Sequence, residues 1–224
     1  MSAYVRWLVA QKQKWHHPLQ AEEAELGFRG WHTRGYLPHF DAPGVIQMLN
    51  FRLADALPQE REHEWEKIMQ IKDDRQRRIQ LEDYLDRGYG ACELAIPEVA
   101  QKVERTLLYD DGRLCRLLAW VIMPNHVHVL VEIWQTPVEK LVKAWKSISA
   151  RFVNNLFDRS GKWWQDDYFD RYMRDTDHFH KAVHYIENNP VKAGLVKDAK
   201  AWQWTSAKWR AEGFGLQPVN PPGK

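Results

Sequence analysis

Two apolar runs separated by only two residues limit this chain most. Arg116 to Met123 and His126 to Trp134 flank Pro124-Asn125. Proline interrupts any helix running through both, and each run has strand length, so the pair predicts a β-hairpin. Side chains alternate along a strand, which puts His126 and His128 on one face and Val127, Val129 and Val131 on the other. The valine face must be covered, so the hairpin needs helices. Val45 to Leu53 predicts a further strand, with Leu49, Phe51 and Leu53 alternating against Asn50 and Arg52. Tyr168 to Arg174 is read as a fourth.

The helices are equally legible. Val138 to Phe157 is amphipathic: Leu141, Trp145, Ile148 and Phe152 fall on one face, Lys143 and Lys146 on the other, with Lys140 and Arg151 flanking. Pro97 suits the first turn of a helix carrying Val99, Val103 and Leu107 on one side. Asp175 is the N-cap expected for a helix with Phe179, Ala182, Val183 and Ile186 as its stripe, and Pro190 is expected to end it near Asn188 or Asn189. Gln59 to Asp86 is highly charged and reads as helix that is solvated or broken over Lys72–Arg78.

The order strand, helices, hairpin, helix, strand, helix predicts an α+β fold, a small antiparallel sheet with packed helices in a ferredoxin-like or RRM-like layout. We expect an N-terminal appendage over 1–29, one domain over 30–212 with a helical insertion at 59–96, and a flexible tail over 213–224.

Composition narrows the class. The longest apolar run, Leu117 to Met123, has seven residues, far short of the ~20 that span a membrane. No secretory signal pattern opens the chain, and Cys92 and Cys115 lack metal-ligand spacing, so a cytoplasmic, nucleoid-associated protein is expected. Net charge is +2. It is uneven: residues 135–224 hold 15 Lys/Arg against 10 Asp/Glu, whereas 1–134 hold 17 against 20. A polyanion docks more easily on the second part. Twelve tryptophans exceed what most chains of this length carry, and each serves either as core or as a stacking surface for bases.

Chemistry concentrates in two places. Two imidazoles side by side on a strand suit a divalent metal, but a His-x-His pair alone is commonly incidental and needs a third ligand. On the helix from Asp175, Tyr185 lies off the apolar stripe, Asn189 follows one turn later, and His178 lies two turns back on that side. A phenol can act as nucleophile and an amide oxygen can complete a metal site. Tyr185 as a half-buried surface aromatic and Asn189 as a helix C-cap is the competing reading.

Taken together, Met123-Pro-Asn-His-Val-His-Val-Leu-Val131 and Tyr185-Ile-Glu-Asn-Asn-Pro-Val-Lys-Ala-Gly-Leu-Val196 resemble the HUH single-tyrosine transposases, and among them the REP-associated tyrosine transposases. Gly30 to Asp41, Phe51 to Pro58, Trp164 to Arg171 and Trp202 to Ser206 agree, so the resemblance covers about residues 30–209. It implies the HUH endonuclease architecture, with His126, His128 and Asn189 as metal ligands, Tyr185 as nucleophile and Mg²⁺ or Mn²⁺ as cofactor. It also implies single-stranded, hairpin-forming repeat DNA as substrate, and a monomer or homodimer. His178 or Lys181 is a candidate to assist Tyr185. Lys143, Lys146 and Arg151 are candidate phosphate contacts, and Arg29, Trp31, His32, Arg34 and Tyr36 form a basic and aromatic arm suited to unpaired bases.

Three other classes compete. A hairpin-binding relative that no longer cuts shares every motif. A zinc hydrolase would leave Tyr185 without a task. An RNA-binding module would need paired aromatics that the strands lack.

Overall fold

The computed structural model describes residues 18–33, 38–57 and 59–213. Its centre is a four-stranded antiparallel sheet of β3 (Ile46–Arg52), β4 (Cys115–Ile122), β5 (His126–Ile133) and β6 (Phe169–Tyr172), in the spatial order β4-β5-β3-β6. Helix α4 (Pro97–Asp110) joins β3 to β4, and α5 (Val138–Leu156) joins β5 to β6. This is the ferredoxin-like βαββαβ path, as expected.

The two faces of the sheet are covered differently. Leu49, Phe51, Val127, Val129 and Val131 join α4 and α5 in the larger core, which includes Val103, Leu107, Leu141 and Trp145. Indole N–H groups buried there find acceptors: Trp145 donates to Asp110 (2.8 Å), Trp120 to Glu104 (3.0 Å) and Trp164 to Ser149 (2.9 Å). The opposite face, with Leu130, Ala119 and Val121, packs under Phe179, Ala182 and Ile186 of α6 (Thr176–Lys192). That is the face His126 and His128 share with Leu130.

Several boundaries move. The charged stretch after β3 forms two helices, α2 (Glu62–Met69) and α3 (Asp74–Asp86), and the break lies at 70–73, where Asp73 accepts the N–H of Gln76 as an N-cap. The polar residues from Asp74 onward are helical, because one side of α3 buries Leu81, Tyr84 and Leu85. α6 starts at its Asp175 cap, which accepts the N–H of His178 at 2.7 Å, but continues through Pro190 to Lys192. Pro190 is buried in the last turn, and its carbonyl still accepts from Leu195. Its ring removes one N–H without preventing that turn. The arm is a two-stranded ribbon, β1 (Gly30–Thr33) with β2 (Pro38–Asp41), preceded by the short α1 (Ala21–Glu25). Residues 1–17 of the expected N-terminal appendage and the tail from 214 lie outside the described residues. A short helix α7 (Ser206–Ala211) ends the fold beside β4.

Asp41 ends β2 with 4% exposure, and its carboxylate accepts the N–H of Val138 at the start of α5 (3.4 Å). Burial pushes its pKa up to about 6, against the opposing pull of Val138 and Arg29. A carboxyl raised on folding holds its proton longer in the native state. Its contribution therefore weakens the fold as pH climbs from about 4 to about 6. Asp41→Asn should raise urea-unfolding stability by roughly 2 kcal/mol at pH 7.5 and leave it nearly unchanged at pH 4.

Candidate metal and nucleophile site

Strand pairing sets the floor of the site. In the β3–β5 register Asn50 lies opposite His128 and Arg52 opposite His126, so all four side chains project from one face. Each is at least nine-tenths buried. The imidazole centroids of His126 and His128 are 4.8 Å apart and edge to face. α6 closes over them. The Tyr185 ring lies 5.4 Å from His128, and the Asn189 amide nitrogen lies 3.0 Å from the Tyr185 hydroxyl and 3.4 Å from His128 Nε2. The four residues singled out in the sequence are therefore neighbours, with Asn189 completely buried between phenol and imidazole.

Asn125 fixes the first imidazole. Its amide nitrogen donates to the carbonyls of Leu85 (3.2 Å) and Tyr89 (3.1 Å), at and just beyond the end of α3. Its oxygen therefore faces His126 Nδ1, at 2.8 Å. Two oxygens cannot both be met by the acceptor end of an amide, so the orientation is set by the network. His126 Nδ1 must carry the proton, and Nε2 keeps a lone pair. Burial, then His128, Arg52 and Lys192, hold His126 well below the usual histidine range, and burial with Lys192 lowers His128 to about 3. Both are neutral at physiological pH, the state a metal requires.

The donor set fits a divalent cation. His126 Nε2, His128 Nδ1 and Asn189 Oδ1 are all buried without a hydrogen-bond partner among the described residues. His126 Nε2 and Asn189 Oδ1 are acceptors, and leaving them unsatisfied is costly, whereas one cation would satisfy both. Among the described residues no three His, Cys, Asp or Glu side chains are drawn together as a finished metal cage, and the Asn189 oxygen adds a donor beside the two imidazoles.

Tyr185 is half-buried and its pKa is pushed far up, first by burial, then by the carboxylates of Glu82 and Asp86 on α3. Glu82 lies close enough to raise it further, while the hydrogen bond from Asn189 pulls the other way. Tyr185 borders a cleft of about 600 Å³ lined by Arg77, Glu82, Arg171, His178, Lys181 and others. His178 and Lys181 share the cleft with Tyr185. Glu82 lines the same cleft.

The remaining candidates spread out. Lys143 and Arg151 are exposed on α5, across the sheet from Tyr185. The Lys146 ammonium is held by the carbonyls of Gln165 (2.8 Å), Asp166 (3.2 Å) and Asp167 (2.9 Å), anchoring the approach to β6. Arg29 is ion-paired with Glu139. Trp31 is 50% exposed and packs against Phe40 and Tyr172, which line the cleft beside Tyr185. His32 stacks on His39 at 5.6 Å. Arg34 and Tyr36 lie outside the described residues.

Four residues escaped the sequence reading: Asn125, Arg52, Glu82 and Asp86. Asn125 directly precedes His126 and was readable as part of that motif. Arg52 was read only as a polar position of β3, yet its guanidinium lies 4.4 Å from the Trp65 ring. Nothing local marks Glu82 or Asp86, because their roles depend on how α3 docks. Asn125→Ala removes two donors and one acceptor from buried partners. It should lower stability by roughly 2–4 kcal/mol in urea unfolding.

Residues 98–189, which contain both histidines, Tyr185 and Asn189, match the family model described as "Transposase IS200 like". A curated REP-associated tyrosine transposase of Escherichia coli (strain K12) is 30% identical over 107 residues, or 47% of this chain and 61% of that protein. The chain thus spans about three fifths of that relative. A solved structure described as the REP-associated tyrosine transposase bound to a REP hairpin aligns over 86% of this chain and 91% of its own, at 18% identity and a TM-score of 0.49. A putative transposase from Deinococcus radiodurans aligns over 70% of this chain and 96% of its own, at 18% identity and a TM-score of 0.29. Over residues 98–189, then, the chain is similar to the IS200-like transposases, the resemblance its two motifs carry.

Proposed function

We propose that this chain is a metal-dependent, single-strand DNA endonuclease and strand transferase of the tyrosine transposase type, acting on hairpin-forming repeats. The observation that carries the reading is the buried contact chain Tyr185–Asn189–His128, with His126 beside it on the same sheet face. A phenol that accepts from a buried amide, with its ring on one imidazole of a pair able to hold a metal, is placed for nucleophilic phosphoryl transfer.

His126 Nε2, His128 and the Asn189 oxygen would hold Mg²⁺ or Mn²⁺, which supplies Lewis-acid polarisation of a non-bridging phosphate oxygen. The protein's own groups handle the nucleophile. Asn189 donates to the Tyr185 oxygen and holds it in line, and Glu82 takes the phenolic proton as that oxygen bonds to phosphorus. The bond from phosphorus to the 3′-oxygen breaks, and that oxygen takes a proton from water. The products are a 5′-phosphotyrosine and a free 3′-hydroxyl. The covalent link conserves the bond energy, so a second strand can be joined without ATP.

Arg77, Arg171, His178 and Lys181 line the cleft beside Tyr185 and would receive the flanking phosphates. The ribbon that carries Trp31 and His32, entered just after Arg29, borders that cleft through His39 and Phe40 and offers stacking surfaces for unpaired bases. Lys143 and Arg151 would meet a duplex stem only if it wraps toward α5. Lys146, occupied by backbone carbonyls, contributes to the fold first.

Incubation with a repeat-hairpin oligonucleotide and Mn²⁺ should give a protein–DNA adduct resistant to denaturing gels. Tyr185→Phe should abolish the adduct and keep hairpin binding within about threefold. Binding without any adduct from the wild type, across Mg²⁺ and Mn²⁺, would mark a binding protein in place of an enzyme.

A further inference from the structure

The end of α3 brings a carboxylate to the metal side of His126. Asp86 has a side chain only 10% exposed, and its Oδ1 lies 3.9 Å from His126 Nε2. Neither atom has a hydrogen-bond partner among the described residues. The other carboxylate oxygen of Asp86 is held by Lys192 Nζ at 3.0 Å, and Lys192 also bonds Asp83 at 2.7 Å. Lys192 lies one turn beyond Asn189 on α6, so the helix that carries Tyr185 and Asn189 also orients this carboxylate.

The contact is unfavourable as an isolated pair. Asn125 commits the single imidazole proton of His126 to Nδ1, so Nε2 faces Asp86 with a lone pair. Two acceptors then confront each other out of water, at a distance too long for a hydrogen bond. A shared divalent cation removes the conflict. Two donors bonded to one ion at about 2.1 Å each can stand up to about 4.2 Å apart, and 3.9 Å falls within that span. The backbone cannot easily relieve the confrontation, because Asn125 ties the segment on both sides of Asp86 through Leu85 and Tyr89.

We propose that Asp86, supplied by the inserted helical segment, is a further ligand of the metal held by His126, His128 and Asn189. The inference rests on the metal-dependent reading above and adds a charged oxygen donor to it. A set of two imidazoles, an amide and a carboxylate favours Mn²⁺ or Mg²⁺ more than imidazoles alone would. It also makes the insertion part of the active site, so that metal loading and the docking of α3 support one another.

Calorimetric titration of MnCl₂ into the full chain, without DNA, tests this. Asp86→Asn should weaken Mn²⁺ binding at least tenfold. Asp83→Asn, which touches the same lysine but not His126, should stay within about threefold, and Tyr185→Phe likewise. Equal affinity in wild type and Asp86→Asn overturns the assignment while leaving the metal-dependent reading intact. Equal losses in Asp83→Asn and Asp86→Asn overturn it in favour of an effect through Lys192. No Mn²⁺ binding by the wild type overturns both readings. Should Asp86→Asn not fold, Mn²⁺ electron-nuclear double resonance on wild-type protein with ¹³C-carboxyl aspartate decides: a ¹³C coupling from a bound carboxylate is expected, and its absence rejects Asp86 as a ligand.

Discussion

One amide determines how this site is wired. Asn125 sits in the two-residue turn between β4 and β5, and its three hydrogen bonds run to Leu85, Tyr89 and His126. The two donated bonds dock the end of α3 against the hairpin. The accepted bond fixes which nitrogen of His126 bears the proton. Without that clamp His126 could present either nitrogen to the site, and Asp86 and Glu82 would have no fixed position beside Tyr185. Buried polar networks of this kind specify a single arrangement because any other leaves groups unsatisfied.

The sheet divides the work between its faces. Valines of β5 and the apolar side of β3 bury against α4 and α5, and this core holds the strands flat and in register. The reverse face is free to carry Asn50, Arg52, His126 and His128, roofed by α6. α6 can serve as a roof because its stripe of Phe179, Ala182 and Ile186 packs down while Tyr185 and Asn189 lean toward the imidazoles. Carboxylates from α3 then set the charge around the phenol, keeping it protonated in the free protein.

Much of this was legible in the residues. The period-two run from His126 and the tight Pro124-Asn125 link predicted the hairpin, and the strand alternation alone put both histidines on one face. The helical offset of Tyr185 and Asn189 predicted that they share a side. What the pattern could not supply was docking. Local propensity does not reveal that α3 packs by its last turns, so Lys72–Arg78 reads only as solvated or broken, where α3 in fact begins at Asp74. Pro190 was expected to end α6, yet a proline in a final turn costs one hydrogen bond and buried packing outweighs it. Lys146 resembled a solvated cation because its partners, the carbonyls of 165–167, come from the far end of the following loop. The residues between Trp31 and Phe40 carry no strong hairpin signal, so the pairing of β1 with β2 was not legible.

The most direct measurement is ¹⁵N NMR of the histidine side chains at neutral pH. His126 should appear as a neutral ring with its proton on Nδ1 and an unprotonated Nε2, with a large change at Nε2 when Mn²⁺ or Mg²⁺ is added. A proton on Nε2, or a doubly protonated ring, would mean that the lone pair does not face the site, and the wiring described here would be wrong.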